Sequence, residues 1–248
     1  MLSPARRHLL RAKAAIEAAE ADEFGGVRPD ASVYQLQLTE LKNDIHVLRS
    51  IQSYEKRAEV KKELMPKHMP YVLGVIQSGA KVEQDEVITT IMLWCFDCAM
   101  FTQGLSLAEY ALQNALKMPD SFSRSTASIV AEEIGNAAHK AYQDGQTFNL
   151  EVLEKATQLT ADFDMHEQIR AKLYLATGRT LLQLERGSEA VKFLKMAISK
   201  NENCGGKTDL KKAEKLFKEQ LKNLPEPMLN ADGSQVVDDQ GTLQFHPT

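Results

Sequence analysis

Arg6, Arg7, Arg11 and Lys13 are the residues whose type and spacing point most directly to chemistry. No acid separates them, and the first to follow is Glu17. On a helix Arg7 and Arg11 fall one turn apart, while Arg6 and Lys13 fall two turns apart on a neighbouring face. Such a surface can neutralise several phosphates and release their counterions. The same pattern also suits a plain solvated helix face. Ser3 and Pro4 start the helix that carries it: a hydroxyl to cap free amides, then a residue whose φ is already helical. A helix macrodipole disfavours cations in the first turn, by roughly a few tenths of a kcal/mol. Arg6 and Arg7 stand there against that preference.

A second basic set is Lys56, Arg57, Lys61 and Lys62, followed by Lys67 and His68. Glu55, Glu59 and Glu63 are interleaved with it, so pairing within one helix accounts for much of the charge. Phosphate contact is the other use of these residues.

Three apparent catalytic motifs fail on context. Pro29-Asp30 followed by Glu40-Leu41-Lys42 spells a metal-dependent nuclease pattern. That chemistry needs acids converging from adjacent strands, whereas Glu40 and Lys42 sit on a helical pattern and point to different faces. Gly206-Lys207-Thr208 resembles the end of a phosphate-binding loop, but Asn201 replaces its first glycine and a helix precedes it. Cys95 and Cys98 lie in an apolar helix around Trp94 and Phe96, far from Cys204 and from any histidine pair, which points to core packing rather than zinc. Asp85, Glu86, Asp97, Glu132 and Glu133 are the acids from which a Mg²⁺ site for phosphodiester cleavage would have to be built. Nothing in their spacing requires one. His8, His68, His139 and His166 are scattered over separate helices, with no nucleophile and base in evident partnership.

The elements that must position these residues read as helices throughout. In 248 residues, 43% are hydrophobic and 26% charged, with only 13 Gly and 8 Pro. Ala, Leu, Glu, Lys and Gln dominate, which predicts an all-α protein with one or two cores. A formal net charge of −4 supplies no global attraction to nucleic acid, so any such contact must come from local clusters. No stretch is long and apolar enough to span a bilayer, and the basic N-terminus lacks the apolar core of a signal peptide. Three cysteines, an odd number, fit a reducing compartment better than a disulfide framework.

Four regions follow. Residues 1–24 form a basic N-terminal helix, with a hinge at Gly25, Gly26 and Pro29. Residues 25–78 form a helical DNA-binding or oligomerisation region. Within it Tyr34, Leu38, Leu41, Ile45 and Leu48 recur at heptad spacing and should pack helices within or between subunits. Two heptads alone are too short for a stable coiled coil. Pro66 and Pro70 are expected to end that segment. Residues 79–224 read as paired helices, 84–102 with 105–117, 126–142 with 150–161 and 167–184 with 188–200, broken at Gly104, Gly145 and Gly187 and capped by 207–223. Tyr174, Gly178, Leu181, Ala190, Leu194 and Ala197 occupy tetratricopeptide spacings, so the region is either a TPR-like hairpin stack or an ordinary bundle with small-residue seams. Residues 225–248, with Asp232, Asp238 and Asp239, are expected to be a flexible acidic tail.

An ordered series of residues adds a resemblance. Ser3-Pro4-Ala5-Arg6-Arg7-His8, Glu63-Leu64-Met65-Pro66, Gly74-Val75, Gln84-Asp85 and Met92-Leu93-Trp94 with Asp97 begin it. Tyr110-Ala111-Leu112, Met118-Pro119, Glu132-Glu133, Asp164-Met165 and Arg170-Ala171-Lys172-Leu173 with Gly178 continue it. The series, over residues 1–224, resembles the small terminase subunits of peduovirus-type tailed phages. That resemblance implies viral DNA packaging in the host cell cytoplasm: binding double-stranded phage DNA at the cohesive-end site, assembling with itself as a ring, and recruiting the large ATPase subunit. The family is commonly labelled the terminase endonuclease subunit, and with that activity would come Mg²⁺; without it no cofactor is expected. Relatives can end in a Lys/Arg-rich tail, whereas this tail is acidic. A scaffold that binds only proteins is the remaining alternative, since helical repeats commonly do so.

Overall fold

A computed structural model describes residues 3–23, 32–82, 84–119 and 122–222. The expected hinge at Gly25–Pro29 and the tail 225–248 lie outside the described residues. The described residues form ten helices and no strand: α1 (Pro4–Glu23), α2 (Ser32–Arg49), α3 (Tyr54–Ser78), α4 (Glu86–Asp97), α5 (Phe101–Gln113), α6 (Thr126–Gln143), α7 (Leu150–Leu159), α8 (Glu167–Gln183), α9 (Gly187–Lys200) and α10 (Lys207–Lys222).

Helix α1 begins as its sequence requires, with the Ser3 hydroxyl accepting the Arg6 amide at 3.3 Å. Its buried stripe is Ala14, Ala18 and Ala21, spaced four and three residues apart. Small side chains let α1 lie very close to α3. A Cβ on Gly74 would stand 2.3 Å from the Arg11 carbonyl oxygen and 3.0 Å from the Ala14 Cβ. Only a glycine fits there.

Helix α3 runs unbroken through Pro66 and Pro70, against the expectation that these prolines end the segment. Each removes a helical hydrogen bond and costs about 3 kcal/mol in an ordinary helix interior. The tertiary context outweighs that cost. Pro70 is buried with Met65, His68, Tyr71, Val72 and Val75, Pro66 stays exposed, and Gly74 receives α1. The helix stops at Gly79, whose φ of 66° is left-handed, the conformation in which glycine is least strained.

The heptad stripe of α2 faces inward. Leu38, Leu41 and Leu48 are buried, and Tyr34 and Ile45 pack against the same core. Polar links tie the four N-terminal helices together. Glu17 of α1 accepts the Val33 and Tyr34 amides at 2.8 and 3.0 Å, placing a carboxylate at the positive end of α2. Asp85 caps α4, accepting the Val87 and Ile88 amides at 3.0 Å and the Tyr71 hydroxyl at 2.6 Å. The Tyr34 and Tyr71 rings stack with centroids 6.4 Å apart.

His68 is the polar centre of the α2–α3 contact. It is wholly buried, and its ring meets Trp94 edge-on at 5.9 Å. The Gln37 amide nitrogen lies 2.6 Å from Nδ1, and Asp44 lies 2.7 Å from Nε2. An amide nitrogen only donates, so Nδ1 accepts and the Nε2 hydrogen goes to Asp44. Lys67 binds Asp44 at 2.7 Å and Glu40 at 3.5 Å. Burial favours the neutral form of this ring.

The remaining helices stack as hairpins, as the pairing pattern predicts. In α8–α9 a Cβ on Gly178 would stand 2.7 Å from the Leu194 side chain, and Ala190, Leu194 and Ala197 are wholly buried. Helix α6 lies along α8, with Gly135 against Leu173. Helix α10 covers α9, where Gly187 meets Phe217. One boundary differs from expectation. Gly104 does not separate the first pair; it lies inside α5, and the turn is Cys98–Met100. A Cβ at Gly104 would stand 2.4 Å from the Phe96 ring, so this glycine marks a close crossing rather than a break. A single apolar core runs from Ala14 to Ala176, and a smaller one joins α8, α9 and α10.

Two outcomes follow from this packing. Gly74→Val should destabilise the protein by about 1–3 kcal/mol, seen as a lower urea midpoint, because overpacking drives α1 off α3. Burial holds His68 below its ordinary value of 6.5, despite the opposing pull of Asp44. The unfolded chain thus takes up the proton first, and stability falls as pH drops below about 6.5, by at most about 1.4 kcal/mol per pH unit from this group. Subtracting the thermal-midpoint profile of His68→Gln from that of the parent should isolate this loss. Parallel profiles would refute it.

Candidate nucleic-acid interface

The first basic set stands on a helix packed closely against α3 and divides between two of its faces. Arg6, Arg7 and Lys13 are exposed and make no ion pair among the described residues. Arg11 is anchored: its Nε donates to the Gln77 side-chain oxygen at 2.7 Å, and its Nη2 donates to the same atom. Arg7, His8 and Arg11 line a shallow groove with Pro66, Met69 and Pro70 of α3. Leu9 and Ile16 are exposed on α1 as well, so the outer face interleaves cations with apolar side chains.

The second set divides. Lys56 and Lys62 are exposed without ion pairs among the described residues. Arg57 is held by the carbonyls of Ile51 at 2.5 Å and Gln52 at 3.3 Å, and covers the Tyr54 ring at 5.1 Å. Lys61 is paired with Asp97. The intrahelical Lys–Glu pairing expected for this stretch is replaced by contacts to the preceding loop and to α4.

The acids are dispersed. Asp85 is spent on the α4 cap and Tyr71, Asp97 on Lys61, and Glu132 on Arg124. Burial, with Asp97 adding to it, holds Glu133 above the usual carboxylate range. Among the described residues no three of His, Cys, Asp and Glu are grouped to hold a metal ion. Glu40 binds Lys67, so the nuclease-like spelling at 40–42 is part of the α2–α3 contact, and its Pro29-Asp30 half lies outside the described residues. The Cys95 thiol is pushed up to about 12 by burial and touches the Met65 sulfur, while Cys98 donates to the Ala58 carbonyl at 3.3 Å. Lys207 pairs with Glu202 rather than facing a phosphate loop.

Two features escape sequence reasoning. The Gln37–His68–Asp44 network joins residues that no local motif connects. The lysines of α10 are legible as a regular spacing, but their helix reads first as a cap on the stack. Arg179 adds a buried link at that end, binding Asp209 at 2.7 Å over the Tyr142 ring.

A family model for the phage small terminase subunit matches residues 38–168, the span from α2 to the start of α8. The chain is 35% identical over 231 residues, 93% of its length and 90% of the relative's, to the "Terminase, endonuclease subunit" of Escherichia phage P2. It is 26% identical over 148 residues, 59% of its length and 52% of the relative's, to the "Probable terminase, endonuclease subunit" of Haemophilus phage HP1 (strain HP1c1). No solved structure matches it. With an all-helical core matched from α2 onward and a relative aligned across nearly the whole chain, this protein belongs to the phage small terminase subunit family.

Proposed function

We propose that this chain acts in viral DNA packaging as a DNA-binding, self-associating subunit that engages the phage cohesive-end site in the host cytoplasm and recruits the large ATPase subunit. Family membership supports the packaging role. The observation that carries the DNA contact is the set of exposed cations Arg6, Arg7 and Lys13, without ion pairs among the described residues, on a helix fixed to the core. Arg11, Lys56 and Lys62 extend the same use, and Arg57 and Lys61 border it. A chain of net charge −4 gains little from its overall field, so affinity must come from repeating a local cluster. Several copies around a ring multiply weak phosphate contacts through effective concentration.

The heptad residues Tyr34, Leu38, Leu41, Ile45 and Leu48 serve that assembly from within, by holding α2 against α3. The self-contact itself we assign to the opposite side of α2, where Leu36 and Val47 are 73% and 53% exposed.

The relatives' printed names favour a second reading, a metal-dependent endonuclease built on Asp85, Asp97, Glu132 or Glu133 with Mg²⁺. We prefer the binding role because the first three of these acids are engaged by other groups. Specific nicking of cohesive-end DNA by the purified chain with Mg²⁺ or Mn²⁺, abolished by Asp97→Ala, would reverse that preference.

Arg6→Ala, Arg7→Ala and Lys13→Ala together should flatten the dependence of log affinity on log salt by about 2–3, near 0.9 for each phosphate that is no longer neutralised. Native mass measurement of the parent should give a multiple of the subunit mass. A single-copy particle, or an unaltered salt slope, would contradict the proposal.

A further inference from the structure

Helix α10 carries six lysines against three acids in sixteen residues, within a chain whose overall charge is negative. Its inner side is occupied. Asp209 and Ala213 are buried, and Phe217 and Gln220 meet Gly187 of α9. The opposite side presents Lys207, Lys211, Lys215, Lys218 and Lys222, at intervals of four, four, three and four residues. That sequence of intervals keeps all five on one face of a helix. All five are exposed, Lys215 to 80%.

The acids of α10 do not cancel this face. Asp209 is buried under Arg179, and Glu214 turns to Lys195 of α9 at 3.5 Å. Glu219 approaches Lys215 at 3.9 Å across open solvent, a contact that holds neither group firmly. Lys211, Lys218 and Lys222 have no ion pair among the described residues. The helix is anchored through Asp209 and Phe217, so the row of charge keeps a fixed direction on the subunit.

We infer that the outer face of α10 is a second contact surface for the phosphate backbone of duplex DNA, separate from α1. The row spans about 22 Å at 1.5 Å per residue. One DNA strand presents a phosphate about every 3.4 Å of axis, so such a row runs past roughly six of them. Lysine suits this use, since its flexible stem lets a point charge reach a phosphate without reading a base. The contact is electrostatic and sequence-independent. It positions the duplex and leaves site recognition to other residues. The inference rests on the DNA-binding role proposed above.

The test uses the full chain and a fluorescent cohesive-end duplex, titrated from low to moderate salt. Lys211→Gln, Lys215→Gln, Lys218→Gln and Lys222→Gln are combined, because glutamine keeps helix propensity while removing charge. The expected result is a salt slope flattened by about 2–4, with the thermal midpoint and assembly mass unchanged, and additive with removal of Arg6, Arg7 and Lys13. If the fourfold variant does not fold, the pairs Lys211→Gln with Lys218→Gln and Lys215→Gln with Lys222→Gln give the same reading at half size. A parent that binds duplex while the variant keeps its slope overturns this surface alone. A variant that keeps its slope but no longer captures the large subunit reassigns the row to an acidic protein partner and also overturns it. A parent that fails to bind duplex at low salt removes the DNA-binding role itself.

Discussion

The Arg11 carbonyl resting on the α-carbon of Gly74 is the contact on which the rest of the N-terminal half depends. Helix α1 has little apolar surface to bury, and alanines contribute small areas each. What holds it is closeness: backbone against backbone, where dispersion contacts accumulate that larger side chains would keep apart. The Glu17 carboxylate on the α2 amides and the Gln77 oxygen on Arg11 add direction to that closeness. The N-terminal basic segment is consequently a built face of the subunit. Its backbone is fixed against α3, and of its cations Arg11 is the one held by a side chain of that helix.

Charge is handled in the same way throughout the molecule. A chain with an excess of acids displays positive faces where neighbouring acids are drawn into helix caps and ion pairs. Asp85 is turned onto amides and a tyrosine, Asp44 onto a histidine and a lysine, and Asp209 onto an arginine. The cations left over are those without a structural task, among them Arg6 and Lys13 of α1, Lys56 and Lys62 of α3 and the lysine row of α10. Net charge describes the molecule at long range; within a Debye length of about 8–10 Å, these local surpluses are what a polyanion meets.

Much of this is legible in the residues, and the exceptions share a cause. The all-helical class, the start of α1, the inward stripe of α2 and the Gly178–Leu194 hairpin all follow from short-range periodicity and side-chain size. Pro66 and Pro70 mislead because a local penalty is offset by burial contributed by helices elsewhere in the chain. Gly104 misleads because a glycine needed for close approach looks, in one dimension, like a glycine needed for a turn. His68 reads as one scattered histidine, since Gln37 and Asp44 lie 31 and 24 residues away and become its neighbours only when α2 folds onto α3. Of the candidate interface, the cations can be named from the residues alone. Which of them are engaged by the fold, as Arg57 and Lys61 are, cannot.

The unequal surroundings of the three cysteines have a practical side. Cys95 and Cys98 are enclosed, and burial suppresses ionisation of both thiols. Cys204 is half-buried and sits in the turn just before α10, its sulfur 3.5 Å from where a Gly206 side chain would begin. A maleimide dye added to the native protein would therefore settle at one address, beside the lysine row. Fluorescence from that address would report on a ligand approaching this end of the molecule with no engineered cysteine and no disturbance of the N-terminal helices.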